Sequence, residues 1–340
     1  SLELGVPLRP PIEVRYRVRV TSPAFGRRGV LWTAFGPKLA GFAGAALFTP
    51  GAEPAHLAGS RAPQSVIGGT RRTVRLTLDP GLATTIVAQG LASWEYQAFW
   101  NALHLYEQVA DVVYVEVQDR AEADFKIITY EGTPGVGASL LGRMSPPDTD
   151  NEGQMEVNSG DSRWTEEGVS PGGFYFPTLI HEFGHGMGLA HPHDNGGHSS
   201  IMRGAGSSTS VCPVTVPVGI GGALGDFRLS QQVHTIMSYN DGWATSPYGQ
   251  PRSGGLTETE VDHFGWVASL SPLDIAVIQD KYGVNEDTAT GNNAYVLKDV
   301  HARGTFFQAI WDAGGTDAIR YGGTRDAVID LRPATLQYEE

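Results

Sequence analysis

The chain has 340 residues, 41% of them hydrophobic, with 44 glycines and 21 prolines. That composition supports a packed core with long loops and excludes disorder, collagen or a coiled coil for the whole chain. Thirty-seven acidic residues against 24 basic ones leave a formal charge of -13, with only four lysines, which counts against a nucleic-acid partner and against attraction to an acidic membrane surface.

Cys212 is the one cysteine, so an intrachain disulfide, an iron–sulfur cluster and a cysteine-built zinc site are all excluded. No apolar run reaches about 18 residues, and no transmembrane helix is predicted. No signal peptide is visible at the N-terminus, so the expectation is a trimmed chain or another export route.

Residues 12–20, IEVRYRVRV, alternate apolar and polar side chains and predict a strand. Residues 34–69 are rich in Gly, Ala and Pro and keep no period, so 1–70 is assigned to an N-terminal extension or embellishment. Residues 71–78 alternate again, and Asp79-Pro80-Gly81 marks a turn. From 88 to 109 the period becomes helical, with Trp94, Ala98, Ala102, Leu105 and Val109 on one stripe, widened by Phe99 and Tyr106. His104 lies off that stripe and reads as a surface residue. Residues 112–117 and 124–130 predict strands, and 154–158 a short edge strand. The order predicts an α+β fold, a mixed sheet with helices on one face.

The strongest chemical signal is HEFGHGMGLAHP, residues 181–192. A helix turns about 100° per residue, so His181 and His185 share a face one turn apart and both imidazoles reach one zinc ion. Glu182 sits beside them, placed to take a proton from water at the metal. Glycines at 184, 186 and 188 would each weaken a plain helix by about 1 kcal/mol relative to alanine. They suit a helix that must turn sharply at Gly188, where positive φ brings His191 back to the metal. Three histidines leave a coordination position open, as catalytic zinc requires. His193 and His198, just beyond, could bind a second ion, but solvated loop histidines are the commoner case, and His234 and His263 take that reading too.

HEFGHGMGLAHP resembles the extended zinc signature of the metzincin proteases. Thr235-Ile236-Met237-Ser238-Tyr239 resembles their Met-turn, and the two together resemble the serralysin branch. The resemblance covers roughly residues 71–331, including Gly172-Gly173-Phe174-Tyr175-Phe176-Pro177-Thr178 before the zinc helix. It implies a metzincin fold over 71–283, with Met237 as an apolar floor beneath the histidines. It also implies that Tyr239 is a displaceable further zinc ligand that donates a hydrogen bond to the oxyanion. Ser271-Pro272-Leu273-Asp274 reads independently as a capped helix start. Ile275, Ile278 and Tyr282 form its stripe and Gly283 its stop.

Residues 284–340 break into short alternating pieces around Trp311-Asp312-Ala313-Gly314-Gly315-Thr316-Asp317, which resembles the serralysin entry into a calcium-bound β-roll. The usual tandem repeats of that roll are absent. By resemblance, Asp312, Gly314, Asp317 and the backbone around Thr290, Gly291 and Asn293 are calcium ligands. This segment is assigned to a partial C-terminal β-roll-like module, read as truncated at Glu340.

The resulting expectation is a secreted zinc endopeptidase acting on extended polypeptides, with Glu182 as proton carrier, and with a propeptide or inhibitor as further partners. Two alternatives stay open. One is a narrow processing protease for a co-exported or surface-layer protein; the other is an inactive calcium-dependent binding scaffold.

Overall fold

The computed structural model describes residues 12–16, 30–35, 72–78, 91–117, 123–130, 140–149, 151–193, 202, 205, 224–225, 228–243, 264–297, 306–322 and 327–331. Cys212, His198, His263, the 79–81 turn and most of residues 1–71 lie outside them.

Among the described residues, three strands precede the first helix: β1 (Ile12–Tyr16), β2 (Val30–Phe35) and β3 (Arg72–Leu78). Helix α1 (Ser93–Val109) follows, then β4 (Val112–Glu116), β5 (Phe125–Tyr130), β6 (Gly142–Met144) and β7 (Gln154–Asn158). Among the described residues, the helices α2 (Phe176–Gly186) and α3 (Pro272–Tyr282) then lead to β8 (Ala294–Leu297), β9 (Gln308–Trp311), β10 (Asp317–Tyr321) and β11 (Ala327–Asp330).

The central sheet has five strands in the order β4-β3-β5-β7-β6. Its pairs are parallel except β6–β7, which is antiparallel. The mixed sheet of the sequence reading is therefore present, with one correction. Residues 154–158 are an inner strand, because β6 pairs along their outer side and takes the edge. Three residues in a glycine-rich stretch are too few to show a period, so β6 left no signal in the sequence.

Helix α1 starts at Ser93 rather than 88. The Ala92 amide donates to Glu95 Oε2 at 2.6 Å, satisfying a donor that the first turn leaves open. Glu95 Oε1 in turn accepts from Trp164 Nε1 at 2.5 Å, so the buried carboxylate ties the helix start to the loop before α2. The buried face is Ala98, Phe99, Ala102, Leu103, Tyr106 and Val109. Leu103 replaces Leu105 in it, and Leu105 is only partly covered.

That face meets α2 and the sheet in one core. Phe183 is fully buried, stacked on Phe125 at 6.0 Å and edge-on to Phe99 at 6.4 Å. The buried Tyr106 hydroxyl donates to the Ile180 carbonyl at 2.7 Å, fixing α1 against α2. Helix α3 starts at Pro272 after Ser271 and stops at Gly283, whose φ is +89°, as the sequence predicts. The Asp111 amide donates to Gly283 O, so the end of α3 is tied to the end of α1.

The C-terminal strands pair with the N-terminal ones. β10 lies between β8 (parallel) and β1 (antiparallel), and β2 lies antiparallel between β9 and β11. Segments divided in the sequence reading between 1–70 and 284–340 thus share two three-stranded sheets. Pairing across about 300 residues leaves no local signature. A β-roll is not seen among the described residues.

Because the Phe183 ring joins helix and sheet, Phe183→Ala should destabilise the chain by about 3–5 kcal/mol. Chemical denaturation of the two proteins checks this; a loss under about 1 kcal/mol would mean that the site collapses around the change.

Candidate active site

Helix α2 presents His181 and His185 one turn apart. The helix ends at Gly186, and the turn is closed by hydrogen bonds from Gly188 N to His185 O at 2.9 Å and from Leu189 N to Gly184 O at 2.8 Å. Gly188 has φ of +80°, a conformation that a side chain would strain, and the chain reverses there to bring His191 back.

The three Nε2 atoms form a nearly equilateral triangle, with separations of 3.1 Å (His181–His185), 3.0 Å (His181–His191) and 3.0 Å (His185–His191). The other ring nitrogens decide what these atoms offer. His181 Nδ1 donates to Ile236 O at 2.9 Å and His185 Nδ1 donates to Leu189 O at 3.0 Å. Since a carbonyl only accepts, both rings carry their proton on Nδ1 and aim an Nε2 lone pair inward. Burial, with His185 and His191 close by, holds the His181 pKa well below the usual histidine range, so its ring is neutral and ready to ligate. Corners of such a triangle stand about 1.8 Å from its centre, within the roughly 2.0–2.1 Å of a zinc–nitrogen bond. The residues fit a zinc ion on chemistry and on spacing.

Glu182 is buried beside them. Burial pushes its carboxyl up to about 8, against a hydrogen bond from the Met144 amide that lowers it. A divalent cation at the neighbouring histidines acts the opposite way and favours the carboxylate. Gly142 of β6 lies against this side chain, and a Cβ there would stand 3.1 Å from Glu182 Cγ. The edge strand thus runs directly past the acid.

The Met-turn is held from outside. Asp274 of α3 is fully buried and accepts from Thr235 Oγ1 at 2.7 Å, the Ile236 amide at 2.7 Å and the Ser271 amide at 2.9 Å. The last bond is the helix-capping contact of the sequence reading. The other two, to the Met-turn, were invisible there because 38 and 39 residues separate the partners. Ile236 O then receives the proton of His181 Nδ1, so a single residue, through its amide and its carbonyl, links Asp274 to one histidine of the triangle. Met237 is fully buried under α2, and a Cβ on Gly184 would meet its sulfur at 2.6 Å. A side chain at 184 would push that sulfur aside.

Tyr239 is 43% exposed, with its ring 4.6 Å from His191 and 5.6 Å from His181. His193 is not a solvated loop side chain. It is half-buried and stacked on His191 at 4.8 Å with an interplanar angle of 15°. A cavity of about 410 Å³ adjoins Glu182, His181 and Tyr239, and Leu141, Phe174, Pro177 and Trp266 give it apolar walls. Phe174 and Trp266 meet edge-on at 4.9 Å, and Arg163 covers the Phe174 ring at 3.8 Å. Trp266 carried no motif; only its place in the fold puts it here.

Away from this site, Asn293, Asp312, Gly314 and Asp317 come together. Asp312 Oδ2 accepts from the Tyr295 hydroxyl at 2.6 Å and Oδ1 from the Gly314 amide at 3.0 Å; Asp317 Oδ1 accepts from the Asn293 amide at 2.9 Å. The Gly291 carbonyl abuts Gly315, and Thr290 lies in the same loop.

A histidine triangle built by a helix and a glycine turn, over a buried methionine and beside a helix-borne glutamate, has the make-up of a zinc metallopeptidase site. Residues 89–208 match the family model for matrixin. The serralysin of Photorhabdus laumondii is 24% identical over 69% of this chain and 45% of its own length. The serralysin of Proteus mirabilis is 29% identical over 46% of this chain and 27% of its own length. Metallopeptidase AprA of Pseudomonas marginalis is 30% identical over 47% of this chain and 30% of its own length. The chain is thus similar to zinc metallopeptidases of the serralysin type, and it spans less than half the length of these relatives.

Asp274 yields a pH prediction. Burial raises its carboxyl from an ordinary value near 3.8 to about 7, with its three hydrogen bonds opposing the shift. The folded chain then binds this proton more tightly than the unfolded chain. Its contribution is fully present below about pH 4 and declines as pH rises through about 7. Asp274→Asn removes that titration and turns an amide donor toward other donors, at a cost of about 1–3 kcal/mol. Denaturation midpoints of both proteins, paired at each pH, should show the gap narrowing as pH rises from about 4 to about 7. A gap that widens over that range would reverse the assignment.

Proposed function

We propose that the protein is a secreted endopeptidase that hydrolyses extended polypeptide substrates with zinc held by His181, His185 and His191. The observation that carries this reading is the placement of the Glu182 carboxyl between the histidine triangle and edge strand β6, at the mouth of an apolar cavity. Zinc at that site supplies Lewis acidity toward a carbonyl and lowers the pKa of water.

The chain's own groups then do the following. The outer edge of β6 offers backbone donors and acceptors to an extended substrate, laid alongside as an added strand. The cavity between Phe174 and Trp266 takes an apolar substrate side chain. Glu182 accepts the proton that water releases as its oxygen bonds to the scissile carbonyl carbon. It returns that proton to the amide nitrogen as the carbon–nitrogen bond breaks. The Tyr239 hydroxyl, on the exposed side of the histidines, donates a hydrogen bond to the oxyanion. His181 stays neutral and oriented through its bond to Ile236 O.

The C-terminal turn is assigned to calcium, with Asp312, Asp317 and the backbone oxygens around Thr290, Gly291, Asn293 and Gly314 as donors. Two carboxylates brought together through Asn293 present hard oxygen ligands. The serralysin likeness supports this and supports an extracellular site of action. The likeness equally accommodates a narrow processing role on one exported partner, and cleavage profiling on an unbiased protein mixture separates the two.

Glu182→Gln tests the mechanism. It keeps all three histidine ligands and removes the proton carrier. Zinc content should stay near one per chain, while kcat for peptide hydrolysis falls by at least about 10². Near-normal kcat in the zinc-loaded variant would overturn the role of Glu182.

A further inference from the structure

Three aromatic rings meet beside the histidine triangle: His191, Tyr239 and His193. Every pair is in contact. His191 and His193 stack at 4.8 Å and 15°, His191 and Tyr239 meet at 4.6 Å and 66°, and His193 and Tyr239 at 4.7 Å and 55°. Pro192, buried and lying between the two histidines in sequence, limits how the intervening backbone can turn. Tyr239 is the most exposed of the groups around the site, and its backbone belongs to the Met-turn. On the side of the third histidine, the ring of His193 closes over it.

We propose that His193 is a positioning residue: it holds the Tyr239 ring beside the metal triangle by packing against both Tyr239 and His191. This rests on the zinc-peptidase reading for its consequence in turnover, though the ring contacts stand without it. Two rings bracket the phenol from different directions and so confine its hydroxyl. Removing one of them lets the exposed tyrosine turn outward to solvent. His193→Ala should therefore lower the population of the productive Tyr239 position. His193→Phe should retain it, since a six-membered ring supplies the same packing surface without the imidazole nitrogens.

The test uses wild type, His193→Ala, His193→Phe, Tyr239→Phe and the His193→Ala/Tyr239→Phe double variant. Each is loaded with zinc, and zinc content is measured on the same sample. With a fluorogenic peptide, His193→Ala should lower kcat about threefold to tenfold with KM changed less than about twofold. His193→Phe should restore kcat. In the Tyr239→Phe background His193→Ala should cost nothing further, because the hydroxyl it positions is already gone. A second readout does not need turnover. Loaded with copper(II), the protein should show a phenolate-to-copper charge-transfer band that Tyr239→Phe abolishes, His193→Ala weakens and His193→Phe keeps.

A wild-type protein that shows the band but cleaves no peptide would defeat the peptidase reading and leave the band series to decide the role of His193. Full additivity of the two substitutions in kcat, or a band untouched by His193→Ala, would overturn the proposal. So would a wild type with neither band nor turnover, since Tyr239 would then not address the metal at all.

Discussion

The site depends on one buried carboxyl. Asp274 lies on a helix that contributes nothing to the metal, yet it holds the Thr235 hydroxyl and the Ile236 amide, and the Ile236 carbonyl holds His181. A carboxyl taken out of water is costly unless its oxygens are satisfied. Here three donors satisfy it, and two of them belong to the turn that orients a ligand. The capping of α3 and the orientation of the metal site are thus met by the same side chain. A ligand histidine is of use only when its proton is fixed on the far nitrogen, and this chain of contacts fixes it.

The packing above that anchor is close for the same reason. Met237 approaches α2 so nearly that a side chain at position 184 would displace its sulfur, and the Phe183 ring on the same helix locks between Phe99 and Phe125. A helix seated this firmly on both faces presents its histidines with little freedom, and preorganised groups lose little entropy on binding a metal or a substrate. Glycines that look like a weakness in an isolated helix are what let it sit this deep.

The cavity wall couples the site to the rest of the chain. The Trp266 amide donates to Gly172 O, just ahead of Phe174, and Trp266 O accepts from the Phe307 amide. Val267 and Phe307 form a parallel bridge, and Phe307 immediately precedes β9, which pairs with β2 near the N-terminus. The cavity surface beside Glu182 is therefore built on a segment braced by strands from both ends of the chain. The C-terminal strands thus help to support the cavity.

Sequence alone determined the chemistry at the centre. HEFGHGMGLAHP fixes ligand type, spacing and the turn at Gly188 because those are local facts: an i, i+4 pair on a helix and a residue able to take positive φ. The helix caps at Ser271 and Gly283 and the stripe of α1 were legible on the same ground, since each depends on neighbours within a few residues. Only the tertiary structure decided what lies across from these elements. The Asp274 bonds to the Met-turn, β6 passing Glu182, Trp266 in the cavity wall, His193 against Tyr239, and β1 and β2 beside the C-terminal strands are contacts between residues whose separation in the chain carries no periodicity. Spacing can encode a geometry that one helix or one turn enforces. It cannot encode which distant surfaces meet, because that is settled by the joint packing of the whole core.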